Sequence, residues 1–208
     1  MEIRRHTPAF QRFWLPLARV GAAIILGIFG PFRAKDRGRI PREGGLLVLA
    51  NHISDVDPVA IQYGCPRPVH FMAKAELFDM KGVGWFLRKF RSFPVKRGEP
   101  DRQSLKYAIA LLKAGDVVVI FPEGELSQNG KLQALKPGIA LIARMAGVPV
   151  ICCGVLNTNR IIPYGTLIPR PALKLVEVRW GEAKTFDKEA ETHDILAWTE
   201  SQLRSLTA

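Results

Sequence analysis

The chain has 208 residues, 48% of them apolar, with a formal net charge of +11 and a pI near 10.0. That length and apolar share suit one domain around one sizeable core. The charge calls for a polyanionic partner, either nucleic acid or an anionic membrane surface. No helix-turn-helix, zinc or aromatic-platform motif accompanies it, which excludes nucleic acid as the expected partner. Cys65, Cys152 and Cys153 have no metal-ligand spacing, so no metal site is expected; the adjacent Cys152-Cys153, in an apolar run, read as buried thiols, which favours a reducing compartment.

Residues 1–33 form a distinct basic and apolar segment. Arg4, Arg5, Arg12 and Arg19 precede the apolar run Val20 to Phe32, and Arg33, Lys35, Arg37, Arg39 and Arg42 follow it. The run is 13 residues long, short of the roughly 20 that cross a bilayer as a helix. Extending it back to Phe13 takes in Pro16 and the charge of Arg19. Basic flanks, with Phe10, Phe13 and Trp14 at one edge, fit a helical segment lying in the cytoplasmic interface, peripheral or monotopic, against anionic lipids. The run ends Gly30-Pro31-Phe32-Arg33 without a small-residue cleavage pattern, which argues against a processed leader.

From residue 46 onward short apolar runs alternate with longer amphipathic ones. Strands are expected at 46–50, 69–72, 92–96, 117–121, 148–155 and 173–180, and helices at 57–63, 81–90, 101–114, 135–146 and 187–206. This order predicts a single α/β domain, residues 34–208, with a largely parallel sheet flanked by helices. The first run, Leu46 to Ala50, is continuously apolar, as a strand buried on both faces should be. It stops at Asn51-His52-Ile53-Ser54-Asp55-Val56-Asp57-Pro58. In open α/β sheets the carboxyl ends of strands face the ligand crevice, so this cluster is the candidate site. His52 can take a proton from a hydroxyl and return it, provided a carboxylate fixes its tautomer, and a tight turn can bring either Asp55 or Asp57 back to it.

Three later stretches carry chemistry. Phe93-Pro94-Val95-Lys96-Arg97-Gly98 ends a strand just before a helix, where the Arg97 fork beside helix-terminal amides can grip a phosphate, with Lys96 and Arg102 close enough in sequence to share that task. Gly115 to Gly124 is a buried-type strand broken by Pro122; Glu123 at its end can accept from a substrate hydroxyl, and Gly124 lets the backbone approach a ligand. Lys136-Pro137-Gly138 leads into a helix, and Val148-Pro149-Val150 opens an apolar strand. His6, His70 and His193 read as structural.

Asn51-His52-x-Ser54-x-x-Asp57 resembles the His-x4-Asp signature of the glycerolipid acyltransferase family, which includes the 1-acylglycerol-3-phosphate acyltransferases. Arg97-Gly98 resembles the family's second block, Phe121-Pro122-Glu123-Gly124 its third, Lys136-x-Gly138 the Lys-x-Gly that follows, and Val148-Pro149-Val150 the fourth. The likeness covers roughly residues 40–155. It selects Asp57 over Asp55 as the partner of His52, and it places Asn51, Ser54, Arg97, Gly98, Glu123, Gly124, Lys136 and Gly138 around the substrates. It implies direct transfer of a fatty acyl group from acyl-CoA or acyl-ACP, as co-substrate rather than cofactor, to the hydroxyl of a lyso-glycerolipid such as 1-acylglycerol-3-phosphate, in phospholipid biosynthesis.

One departure bears on the acceptor. The family usually continues Glu-Gly-Thr-Arg-Ser, whereas this chain reads Glu123-Gly124-Glu125-Leu126-Ser127. A basic residue is replaced by Leu126, and Glu125 adds negative charge, so a dianionic phosphomonoester would draw its positive charge from Arg97, Lys131 or Lys136. A less highly charged lyso-lipid is the alternative acceptor. Two other functions stand beside transfer: a lipid hydrolase or thioesterase with Ser54 as nucleophile, which lacks the Gly-x-Ser-x-Gly setting, and a non-catalytic protein that binds anionic membranes.

Overall fold

The computed structural model describes residues 10–95, 101–166 and 168–208. In chain order a π-helical turn, Phe10–Trp14, leads into α1 (Leu15–Phe29), β1 (Phe32–Lys35), β2 (Leu46–Ala50), α2 (Asp57–Gly64) and β3 (Val69–Lys74). There follow α3 (Val83–Lys89), β4 (Phe93–Val95), α4 (Arg102–Lys113), β5 (Val117–Ile120), α5 (Gly138–Ala146), β6 (Val150–Leu156), β7 (Val176–Trp180) and α6 (Thr192–Thr207). These strands form one sheet in the order β1-β7-β6-β2-β5-β3-β4. All neighbouring pairs are parallel except β6 with β7, so the expected largely parallel α/β sheet is present.

β2 occupies the middle of the sheet, and all five of its residues are 0% exposed. Its alternate residues feed two cores. Leu47 and Leu49 pack with Ala108, Leu111, Ile142, Ile195 and their neighbours on the face covered by α4, α5 and α6. Leu46, Val48 and Ala50 pack with Ile61 of α2, Val119, Ile151 and Trp180 on the other face. The period-2 geometry of a strand sends an unbroken apolar run to both sides, and each buried Leu or Val contributes about 1.5–3 kcal/mol. Gly45 is required at the entry to β2: a Cβ there would meet the Leu112 carbonyl oxygen at 2.0 Å.

Several expected boundaries move for local reasons. The division expected after residue 33 falls inside β1, which pairs with β7 through Phe32↔Val176 and Lys35↔Arg179. α3 starts at Val83 because Gly82, at φ +81°, turns the chain just before it. α5 starts at Gly138 because Pro137 suits a helix start and not its interior. α6 starts only at Thr192, after a turn closed by Ala190 N–H donating to the Asp187 carbonyl.

α1 is docked along the domain. Leu15, Ala22 and Leu26 are buried on one side of it, and Arg19 on that same side donates to the Cys65 carbonyl at the end of α2, 2.5 Å away. The charge that interrupts the apolar run therefore faces protein. Leu17, Val20, Ile24 and Ile28, spaced three or four apart, form an exposed stripe at 57–66% accessibility.

Candidate active site

β2 is flanked by β5 and β6, parallel to it on either side, so the chain leaves all three strands at the same edge of the sheet. The turn after β2, the loop after β5 and the short helical turn after β6 meet there. This is the crevice position expected for an open α/β sheet.

The turn after β2 is built by Asp57. Its Oδ2 accepts from Ile53 N–H at 2.7 Å, from Ser54 N–H at 2.9 Å and from the His52 ring at 2.9 Å through Nδ1. Asp57 is also the first residue of α2, with Pro58 behind it, where a carboxylate complements the helix N-terminus. It is 0% exposed, and His52 is 8% exposed. Because Asp57 presents only an acceptor, Nδ1 carries the proton and Nε2 keeps a lone pair. Nε2 has no hydrogen-bond partner among the described residues. The imidazole is stacked on Phe121, ring centroids 3.8 Å apart and 13° from parallel, which fixes its plane. Asp55, the other candidate carboxylate, is exposed and takes no part.

The loop after β5 holds the same turn from the other side. Glu123 Oε1 accepts from His52 N–H at 2.8 Å, its Oε2 accepts from Gln133 N–H at 2.7 Å, and the side chain is 1% exposed. Ser127 N–H donates to the His52 carbonyl at 2.8 Å. Burial pushes the Glu123 carboxyl above its ordinary range, against the opposing pull of the Gln133 and His52 amides. Both Glu123 oxygens thus accept from backbone amides in a closed environment, at the residue expected from the sequence to meet a substrate hydroxyl. Gly124, at φ +78°, makes the bend that turns Glu123 inward. The exposed Lys136 lies against it, its stem 3.4 Å from where a Gly124 Cβ would be, and Gly138 opens α5 two residues later.

Two further expected substrate contacts are internal. Asn51 locks β2 to β6, donating from Nδ2 to the Val155 carbonyl at 2.9 Å and accepting Val155 N–H at 2.7 Å. Ser54 is 0% exposed, and its Oγ donates to the Ile162 carbonyl at 2.9 Å while accepting from Val56 N–H. Both residues shape the turn from within. Lys96, Arg97 and Gly98 lie outside the described residues.

Thr158 has no counterpart among the expected site residues. In the turn after β6, its Oγ1 donates to Asp57 Oδ1 at 2.5 Å, and both residues are 0% exposed. Asn157, in the left-handed region at φ 63°, turns the chain so that Thr158 points back, and its Nδ2 donates to the Leu175 carbonyl. The available signal was a polar Asn157-Thr158-Asn159 string at the end of an apolar strand. A polar cleft of about 430 Å³, with Asn51, Lys131, Asn157 and Arg204 in its wall, opens beside the turn; His52 does not line it.

A buried imidazole with one nitrogen tied to a carboxylate and the other free can remove a proton from a hydroxyl and pass it on. The family model described as Acyltransferase matches residues 32–156, and the chain belongs to that family. It is 36% identical over 129 residues to the 1-acyl-sn-glycerol-3-phosphate acyltransferase of Bacillus subtilis (strain 168), covering 62% of this chain and 64% of that one. It is 32% identical over 158 residues to the enzyme of the same name from Streptococcus pneumoniae, covering 73% and 58%. It is 32% identical over 148 residues to a lyso-ornithine lipid O-acyltransferase of Pseudomonas aeruginosa, covering 69% and 53%. The chain thus spans less than two thirds of the length of these curated relatives. Its fold is similar to the crystal structure of the 1-acyl-sn-glycerophosphate (LPA) acyltransferase PlsC from Thermotoga maritima, with a TM-score of 0.80 at 24% identity over 94% of this chain and 79% of that one.

Proposed function

We propose that the protein is an O-acyltransferase that moves a fatty acyl group from a thioester, acyl-CoA or acyl-ACP, to the free hydroxyl of 1-acylglycerol-3-phosphate at the cytoplasmic face of a membrane. The observation that carries this reading is the His52–Asp57 pair, 2.9 Å apart at the carboxyl edge of the sheet, with Nε2 free among the described residues. His52 Nε2 takes the acceptor's proton as its oxygen bonds to the thioester carbon. The tetrahedral intermediate then expels sulfur, and the imidazolium returns that proton to the thiolate, giving an ester and a free thiol. Arg97, Gly98, Lys136 and Gly138 hold the acceptor's phosphate, and the basic surface draws in the anionic donor and lipid. Asp57 positions the ring throughout.

A hydrolase with Ser54 as nucleophile is disfavoured because that hydroxyl is buried and donates to the Ile162 carbonyl, away from His52. Leu126 and Glu125 favour a second reading, a lyso-lipid acceptor less highly charged than a phosphomonoester, and the likeness to the lyso-ornithine lipid relative supports keeping it.

The test is thiol release from a labelled acyl thioester with lysophosphatidate, glycerol-3-phosphate, zwitterionic and uncharged lyso-lipid acceptors, in the unmodified chain and in His52→Ala. The expected result is acceptor-dependent ester formation, greatest with lysophosphatidate and reduced about 10²- to 10⁴-fold in His52→Ala. Preference for a zwitterionic acceptor selects the second reading. Thiol release indifferent to acceptor overturns both in favour of a thioesterase, and no turnover leaves a membrane-binding protein.

The exposed stripe on α1 supports a membrane-surface location. Residues 12–29, with mean hydropathy 1.5, are long and apolar enough to cross a membrane by length and composition. Docking of the opposite side through Leu15, Arg19, Ala22 and Leu26 favours a helix lying along the interface.

A further inference from the structure

Exposed apolar surface continues from α1 onto α3. Gly84 is in closest contact with the Phe78 backbone, where an added Cβ would stand 2.1 Å from the carbonyl oxygen. Arg88 donates to that same oxygen at 2.9 Å. These two contacts fix which side of α3 faces the domain, and they leave Val83, Trp85 and Phe86 on the outside at 41%, 61% and 46% exposure, beside Met80 at 52%. The end of α3 touches the start of α1, with Lys89 Nζ 3.7 Å over the Trp14 ring. Residues 80–95 contain four basic residues, Lys81, Arg88, Lys89 and Arg91, and no acid.

We propose that α3 is a second membrane-contacting element: Met80, Val83, Trp85 and Phe86 enter the interface of an anionic bilayer while Lys81 and Lys89 meet its headgroups. The inference rests on the reading that α1 lies on such a surface, because continuity through Lys89 and Trp14 joins the two patches. An indole and a phenyl ring pinned outward beside lysines have the amphipathic form that suits the headgroup boundary. Four basic residues against the one neighbouring acid, Asp79, favour an anionic surface. With two supports, α1 and α3, the domain cannot roll about the α1 axis.

The test uses the full chain and mixed phosphatidylcholine–phosphatidylglycerol vesicles with brominated acyl chains. Trp14→Phe leaves Trp85 as the exposed indole, since Trp180 is 0% exposed and Trp198 is half-buried. Brominated chains should quench this variant, and the further change Trp85→Phe should remove most of that quenching. In co-sedimentation, Trp85→Ala with Phe86→Ala should weaken vesicle partitioning by about 10²-fold, as loss of two buried rings implies, with unchanged circular dichroism and melting temperature. Leu17→Glu with Ile24→Glu tests α1 by itself. Unquenched Trp85 in a chain that still co-sediments overturns the role of α3 and leaves that of α1. Failure of the unmodified chain to bind vesicles overturns both. Self-association without lipid that Trp85→Glu abolishes would instead assign the patch to a second copy.

Discussion

Replacing Thr158 by Val removes one hydroxyl at nearly constant volume from a site where nothing else reaches Asp57 Oδ1 among the described residues. The Thr158 bond is 2.5 Å long, and both groups are 0% exposed, so water cannot readily substitute. A hydrogen bond to a charged group contributes about 1.5–3 kcal/mol, and that is the expected loss of stability. The effect on turnover has a different origin. Oδ2 is shared by His52 Nδ1 and two backbone amides, and a carboxylate with an orphaned Oδ1 gains by rotating, which pulls Oδ2 off the line to His52. A misplacement of that kind costs about 10- to 100-fold in rate. In the acyl-transfer assay kcat should fall by that factor while KM for the acceptor changes little, because Thr158 is buried beneath the turn. Thr158→Ser, which keeps the hydroxyl, should recover most of kcat. If Thr158→Val loses stability but keeps full kcat at a temperature where it is folded, Thr158 is a latch on the fold and has no part in orienting the pair.

The remaining predictions concern stability and reactivity. Burial pushes the Glu177 carboxyl up, but bonds from Arg179 at 2.5 Å and Lys35 at 2.9 Å outweigh it and hold the carboxyl below its usual range. A depressed carboxyl stabilises the fold above its unfolded pKa, and that contribution disappears as pH falls through the folded value. Glu177→Gln should therefore cost about 1 kcal/mol at neutral pH, with the gap closing below about pH 4 in urea titrations; a gap independent of pH would refute the pairing. Burial pushes the Cys152 thiol up to about 12 and raises Cys65 and Cys153 as well, so a maleimide should leave the native chain unlabelled and modify three thiols after denaturation. Leu173 sits in the left-handed region at φ 54° and is 90% exposed; Leu173→Asn should raise the midpoint of unfolding by about 0.5–1 kcal/mol equivalent, and a loss would mean the side chain has packing that its exposure does not reveal.

What could be read in the sequence followed the range of the interaction. β2 was legible to the residue because five consecutive apolar positions suffice to mark a strand buried on both faces, and the turn to Asp57 was legible because its hydrogen bonds span three to five residues. β1 was not, since Phe32-Arg-Ala-Lys is strand only by virtue of pairing with a segment more than 140 residues away. Arg19 read as an obstacle inside an apolar run until Cys65, 46 residues on, supplied a carbonyl for it. Thr158 is separated from Asp57 by 101 residues, and no periodicity or spacing within Asn157-Thr158-Asn159 announces such a contact. Glu123 was visible as a carboxylate at a strand end, but whether it faces substrate or backbone depends on how the loop closes, and Gly124 closes it inward.

We propose that this inward closure shifts specificity away from Glu123. Asn51, Ser54 and Glu123 spend their polar groups on Val155, Ile162, Gln133 and the backbone of His52; they rigidify the pair and leave few groups to distinguish one acceptor from another. On that proposal discrimination falls to Arg97, to Lys136 against Gly124, and to Leu126 with Glu125 on the same loop. If so, Leu126→Arg should raise kcat/KM for lysophosphatidate relative to a zwitterionic lyso-lipid, by about fivefold to tenfold for one partly screened charge, while leaving His52 dependence intact. Glu123→Gln should behave differently, lowering turnover with every acceptor alike, since a carboxamide can accept from only one of the two amides. A change of acceptor preference in Glu123→Gln, with none in Leu126→Arg, would return Glu123 to the substrate and refute its assignment to the scaffold.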